Sequence, residues 1–182
     1  MTREEFQNRC NVRRLNIGDR IQAFDCNDAD LNDFIINESH LYRNALLSVT
    51  YVVEEKTTGE VLAYFSLAND KISISDFDSK TDFNRFRKPR FVNEKRLRSY
   101  PAIKIGRLAI AKRAQHQSIG TYLLEFIEDF FIVDNKSGCR FVTVDAYLDA
   151  IPFYIKNNYQ FLNSDDEDRS TRVMYFDLAS LL

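Results

Sequence analysis

Ile103-Lys104-Ile105-Gly106-Arg107-Leu108-Ala109-Ile110 is an apolar run. Ala111-Lys112-Arg113-Ala114-Gln115-His116-Gln117-Ser118-Ile119-Gly120 follows as a short polar loop, and Thr121-Tyr122-Leu123-Leu124 opens a long amphipathic segment. The pattern predicts a buried strand feeding a helix whose first turn is left open. Such a helix start presents unpaired backbone N–H groups and the positive end of the helix dipole, so it favours an anion, usually a phosphate.

On the C-terminal side the helix is expected to reach about Asn135. Leu123, Phe126, Ile127 and Phe130 form its apolar stripe, with Glu125, Glu128 and Asp129 facing away. Lys136-Ser137-Gly138 is the expected stop, with glycine at the C′ position. Arg140 to Tyr147 reads as a strand, and strand–helix–strand predicts a right-handed parallel crossover. Asp149 is expected to cap a short helix, Ala150 to Asn157, with Pro152 tolerated in its first turn and Asn158 stopping it in the left-handed region. Tyr159 to Leu162 and Arg172 to Asp177 read as strands around an acidic turn at Asp165 to Asp168.

On the N-terminal side Asn11 to Leu15 alternates enough for a strand. Asn27-Asp28-Ala29-Asp30 resembles a helix cap. Leu31, Phe34, Ile35, Leu41 and Tyr42 predict a helical stripe through about Asn44. Val49 to Glu54 and Val61 to Ala68 predict a hairpin around Lys56-Thr57-Thr58-Gly59-Glu60. Asp70 to Tyr100 is a polar, basic excursion with short helical pieces expected near Asp82 to Phe86 and Glu94 to Arg98. A connection of that length in a compact domain is often functional. Tyr100-Pro101 marks the entry to the next strand.

The 182 residues suit one domain, 1–182, with a basic insertion at about 70–100. Hydrophobic residues make up 45%, enough for a core, and 5 Gly and 3 Pro argue against disorder. Cys10, Cys26 and Cys139 have no metal-ligand spacing and read as free thiols of a reducing compartment. With His40 and His116 the only imidazoles, no metal site is expected. The charged start has no apolar leader after it, and no apolar run approaches the ~20 residues of a membrane span. The expectation is a soluble cytoplasmic protein without a membrane partner. The net charge of −2 is unevenly spread. Arg85 to Arg113 holds eleven basic residues and one acid, Glu94, so it carries +10 against −12 elsewhere. That stretch reads either as a solvated loop beside a phosphate site or as a surface for a polyanion such as RNA.

The chain resembles the GNAT (Gcn5-related N-acetyltransferase) family. Arg107-Leu108-Ala109-Ile110 and Gln115-His116-Gln117-Ser118-Ile119-Gly120 are similar to its strand and phosphate-loop signature. Ala150-Ile151-Pro152-Phe153-Tyr154-Ile155-Lys156-Asn157-Asn158-Tyr159 is similar to its Ala-x-x-Phe-Tyr-x-Lys-x-Gly-Phe signature. His116 and Ser118 stand where the family usually has glycine. The resemblance implies an α/β fold of α+β type, a mixed, mostly antiparallel sheet with helices on both faces, splayed between Leu108 and Val144. It implies direct transfer from acetyl-CoA to a primary amine, without a metal and without a nucleophilic cysteine. The pantetheine arm would lie along Leu108 and Ile110. The pyrophosphate would sit on the N–H groups of Gln115, His116, Gln117, Ser118, Ile119, Gly120 and Thr121, with Arg113 adding charge. The N–H near Ala109 would stabilise the oxyanion, and Tyr154 would protonate the departing thiolate. His116 reads as a surface or CoA contact rather than a base, Arg107 as a strand-edge charge or a substrate contact, and Asp145 is the acid named for a base. The N-terminal half and the basic excursion are most similar to the toxin-type branch, whose members acetylate aminoacyl-tRNA and are neutralised by a small antitoxin. Three functions stay open: an acetyltransferase of unknown amine, a tRNA-directed toxin with an antitoxin partner, and a non-catalytic acyl-CoA-binding module. A homodimer is one assembly the resemblance admits.

Overall fold

The computed structural model describes residues 1–91, 97–133, 137–163 and 170–182. Most of the helical piece expected at Glu94 to Arg98 lies outside the described residues, as do Asp134 to Lys136 and the acidic turn at Asp165 to Asp168. The strands build a seven-stranded mixed sheet flanked by helices. Internal packing divides the chain into two units, Met1–Ala68 with Ile105–Ile127 and Asn69–Lys104 with Glu128–Leu182. Strands β3 (Val61–Ser73) and β4 (Ser99–Ile110) contribute to both.

The first unit opens with α1 (Arg3–Arg9), which the reading above did not foresee. Its signal is a capping box: Thr2 accepts from the Glu5 N–H while the Glu5 carboxylate accepts from the Thr2 N–H. Next comes β1 (Cys10–Arg14), antiparallel to β2 (Val49–Glu55), which is antiparallel in turn to β3. Within this unit the strand order is β1-β2-β3-β4. Gly59 closes the β2–β3 turn at φ +72°, a left-handed geometry that glycine adopts without steric cost. The buried side chains Val52, Val53, Leu62, Tyr64 and Phe65 alternate or run together across the sheet, and Leu123 and Ile127 of α5 (Ile119–Val133) are fully covered.

Asp28 caps α2 (Ala29–Asp33) through its carboxylate. A wide π turn, Phe34–Glu38, then passes into α3 (Ser39–Asn44). That turn corrects the expected stripe. Phe34 and Ile35 are buried, but Leu41 and Tyr42 are 56% and 38% exposed while Ser39 and Arg43 face inward. A π turn holds more residues than an α turn, so it shifts every later residue around the helix. Arg43 is accommodated by donating to the Ser39 hydroxyl and the Asp19 carbonyl.

In the second unit the order is β3-β4-β5-β7-β6, with β5 (Phe141–Tyr147) antiparallel to β7 (Thr171–Asp177), and β7 to β6 (Gln160–Phe161). β3 runs five residues beyond the expected end, so the basic excursion begins as strand. Its helical piece is α4 (Lys80–Arg87), capped by Ser79. Phe83 and Phe86 of α4 join Ile72, Tyr100, Phe141, Leu162 and Tyr175 in an aromatic core. Arg90 donates to the Tyr175 hydroxyl and stacks on Phe86, anchoring the exit of α4.

Three details differ from expectation. Glu128 is buried, not outward, while Phe130 is 37% exposed. Gly138 is not in the left-handed region, so it is no C′ glycine. Asp149 lies inside a 3-10 turn, Leu148–Ala150, and α6 (Ile151–Lys156) has Ala150 at its N-cap with no side-chain bond. The short turn before α6 supplies the entry that a cap would have made. No helix among the described residues is long and apolar enough to cross a membrane.

Candidate active site

The first unit carries one candidate feature, the passage from β4 into α5. Ala109 is buried at 4% exposure, with Leu108 and Ile110 half-buried on either side. The Ala111 N–H donates to the Leu62 carbonyl of β3 at 2.8 Å. N–H groups two residues apart on a strand point to the same edge, so the Ala109 N–H also faces β3. The N–H groups of Leu108 and Ile110 face away from β3.

A 3-10 turn, Lys112–Ala114, then lifts the chain into the loop. His116 and Ser118 take φ +61° and +64°. These are the two positions at which the resembled signature carries glycine, so the loop keeps a glycine backbone with side-chained residues. Each left-handed non-glycine residue costs roughly 1 kcal/mol. Both side chains are exposed.

The two glutamines hold this shape. Gln115 Nε2 donates to the carbonyls of Cys26 (3.1 Å) and Ile110 (3.2 Å). Gln117 Nε2 donates to the Arg113 carbonyl at 3.1 Å, and Gln117 Oε1 accepts from Arg9 at 3.3 Å. Their amides are therefore scaffold. The Tyr122 N–H closes the first helical bond onto the Ser118 carbonyl at 3.2 Å. Among the described residues, the N–H groups from Gln115 to Thr121 find no acceptor. Arg113 is not turned onto them: it pairs with Glu60, and both line a groove of about 1170 Å³ with Arg13 and Lys112. Arg107 lies over the Phe34 ring at 5.1 Å, with Asp30 at 3.6 Å, which favours the strand-edge reading.

The second unit carries a candidate feature of its own. Tyr154 sits in α6, 5% exposed, and burial holds its phenol well above the ordinary range. Its hydroxyl has no hydrogen-bond partner among the described residues. It is therefore a protonated donor at neutral pH, with its proton uncommitted. Asn158 follows at φ +65°, again where the resembled signature has glycine. Asp145 is exposed and paired with Lys104 at 2.5 Å, which ties up the acid named for a base. The Cys139 thiol is half-buried and pushed up to about 11, so it is no nucleophile at neutral pH. Among the described residues no group of three or more His, Cys, Asp and Glu is placed to hold a metal.

Solved structures match this architecture over nearly its full length. A tyrosine-to-phenylalanine mutant of KacT superposes with a TM-score of 0.74 at 20% identity, over 95% of this chain and 97% of that one. The AtaT toxin, as a tyrosine-to-phenylalanine mutant bound to the C-terminus of the antitoxin AtaR and acetyl-CoA, gives 0.69 at 20%, over 94% and 95%. The fold is the GNAT fold. AtaT complexed with acetyl-methionyl-tRNAfMet shares this GNAT fold too, with a TM-score of 0.70 at 19% identity over 94% and 96%. No protein-family model and no curated protein matches the sequence.

Of the residues singled out from sequence, the loop from Gln115 to Thr121 forms one continuous feature, and Tyr154 stands as a free donor. Arg113 is drawn to Glu60 instead. The anchoring roles of Gln115 and Gln117 were missed, because their partners lie up to 108 positions away in the chain.

Proposed function

We propose that this chain is an acetyl-CoA-dependent N-acetyltransferase, one catalytic domain over its length, acting on a primary amine. The observation that carries the reading is the run of unpartnered N–H groups from Gln115 to Thr121. Seven N–H groups on one loop and helix start are matched in kind to a pyrophosphate. His116 and Ser118 border that run, and Arg113 can reach a phosphate only by leaving Glu60. The N–H groups of Leu108 and Ile110, rather than Ala109, suit the pantetheine amides and the thioester oxygen, because they point away from β3. The amine nitrogen attacks the thioester carbon. The C–S bond then breaks, Tyr154 gives its proton to the thiolate, the ammonium releases its own proton to solvent, and Tyr154 takes one back from solvent.

Calorimetry with acetyl-CoA is the first test, since absence of binding removes the enzyme and the binding-module readings together. Thiol release with a panel of amines comes next: release in the wild type and its loss in Tyr154→Phe support the enzyme, whereas binding without release leaves the module.

The second reading is a tRNA-directed toxin with a small antitoxin partner. The +10 stretch from Arg85 to Arg113 favours it. So do neighbours of the same fold solved with acetyl-methionyl-tRNA and with an antitoxin. Acetylation of bulk aminoacyl-tRNA that falls steeply with salt supports it; no labelling at low salt removes it.

A further inference from the structure

Tyr159 lies in the second unit, directly after the left-handed Asn158 that ends α6. It is 3% exposed, and its hydroxyl has no hydrogen-bond partner among the described residues. Burial lifts its phenol well above the ordinary range, and the charge of Glu128 on α5 pushes the same way. A phenylalanine would fill this space without stranding a hydroxyl, and Phe is the residue of the resembled signature.

Two contacts join Tyr159 to Tyr154. Its N–H donates to the Tyr154 carbonyl at 3.0 Å. Its ring meets the Tyr154 ring edge-on, with centroids 5.3 Å apart at 62°. It also packs against Phe176 of β7 at 5.5 Å. Among the described residues, the other ring against Tyr154 is its chain neighbour Phe153 at 5.1 Å. α6 has six residues and no side-chain cap. A helix that short cannot hold a side chain by its own hydrogen bonds.

We infer that Tyr159 is a positioning residue for Tyr154: its ring clamps the proton donor between α6 and β7, and the ring, not the hydroxyl, does so. The inference rests on the acid role proposed for Tyr154. A purely structural core ring would change the melting temperature and leave turnover of the folded protein alone. A clamp changes turnover of the folded protein without changing the KM for acetyl-CoA.

Tyr159→Phe, Tyr159→Leu and Tyr154→Phe are compared with the wild type, using acetyl-CoA with bulk aminoacyl-tRNA and with the amine panel. In parallel, Tyr154 nitration by tetranitromethane is mapped by mass spectrometry. Tyr159→Phe is expected to melt higher, with turnover within twofold of wild type and unchanged nitration. Tyr159→Leu is expected to lose at least tenfold in turnover at unchanged KM and to expose Tyr154 to nitration several-fold faster. Tyr159→Met replaces it if the leucine variant does not fold. Wild-type turnover and nitration in the leucine or methionine variant overturn the inference, as does a Tyr159→Phe loss as large as theirs. If Tyr154→Phe keeps full turnover, or no acceptor turns over, the acid reading fails or stands apart, and nitration alone decides whether Tyr159 holds Tyr154.

Discussion

Two turns of this protein place side-chained residues where glycine geometry is needed, and they treat their N–H groups in opposite ways. At the end of α6, Asn158 is left-handed and every N–H around it is used. Asn157 donates to the Phe153 and Tyr154 carbonyls, Asn158 to Ile155, and Tyr159 to Tyr154. At the entry to α5, His116 and Ser118 are left-handed and the neighbouring N–H groups have no acceptor among the described residues. The first turn offsets its conformational cost with internal bonds. The second is held by the Gln115 and Gln117 side chains, and among the described residues its own N–H groups are left open. In the function proposed above, one turn holds a side chain and the other an anion.

Damage to the two turns should therefore fall on different quantities. The largest effect belongs to the α6 side: Tyr154→Phe should lower turnover by roughly 10²–10⁴-fold, the usual worth of a general acid, and leave acetyl-CoA affinity alone. Because burial raises this phenol from its ordinary 10.0, the wild type should show no alkaline loss of activity from Tyr154 at or below that pH. Rate and calorimetric titrations read both. A comparable loss of affinity in the same variant would blur the division.

Next in size is Gln115→Ala, which removes two bonds to carbonyls that shape the loop. It should weaken acetyl-CoA binding by about tenfold and lower stability by about 1–2 kcal/mol. Smaller again are glycine replacements. His116→Gly and Ser118→Gly should each stabilise the free protein by about 0.5–1 kcal/mol, less than the full strain because glycine also loosens the unfolded chain. Asn158→Gly should change stability by under ~0.5 kcal/mol, since asparagine tolerates this region. Denaturant melts decide, and equal gains at all three positions would break the contrast. The smallest effect is Glu60→Gln. An exposed pair contributes under about 1 kcal/mol, so freeing Arg113 should tighten acetyl-CoA binding no more than about fivefold.

Much of this architecture could be read from the residues, and the reasons are local. The strand–loop–helix at Ile103 to Phe131 announces itself through apolar runs and polar breaks close in sequence. Asn158 ends its helix as expected because asparagine is one of the few residues at ease there. The misses have local causes too. The Thr2–Glu5 capping box was present in the sequence but not used. The π turn after Asp33 has no periodic signal of its own, so the stripe was projected on to Leu41 and Tyr42. In the site, the loop was legible by type but its glutamine anchors were not, since Gln115 meets Cys26, and Gln117 meets Arg9, only after folding. The pairing of Arg113 with Glu60 belongs to the same class: a charge finds the nearest opposite charge in space, and spacing along the chain does not reveal it.

The π turn carries a consequence for how this chain would take a deletion. A π turn is what an α-helix becomes when it absorbs one inserted residue without moving its ends. Removing one residue from Phe34–Glu38 should restore an ordinary helix and leave the residues after it facing as they now do. Ser39 and Arg43 would stay inward, and Leu41 would stay exposed. The outward leucine is thus out of step with the stripe because of the extra residue of this turn and not because of the helix that carries it.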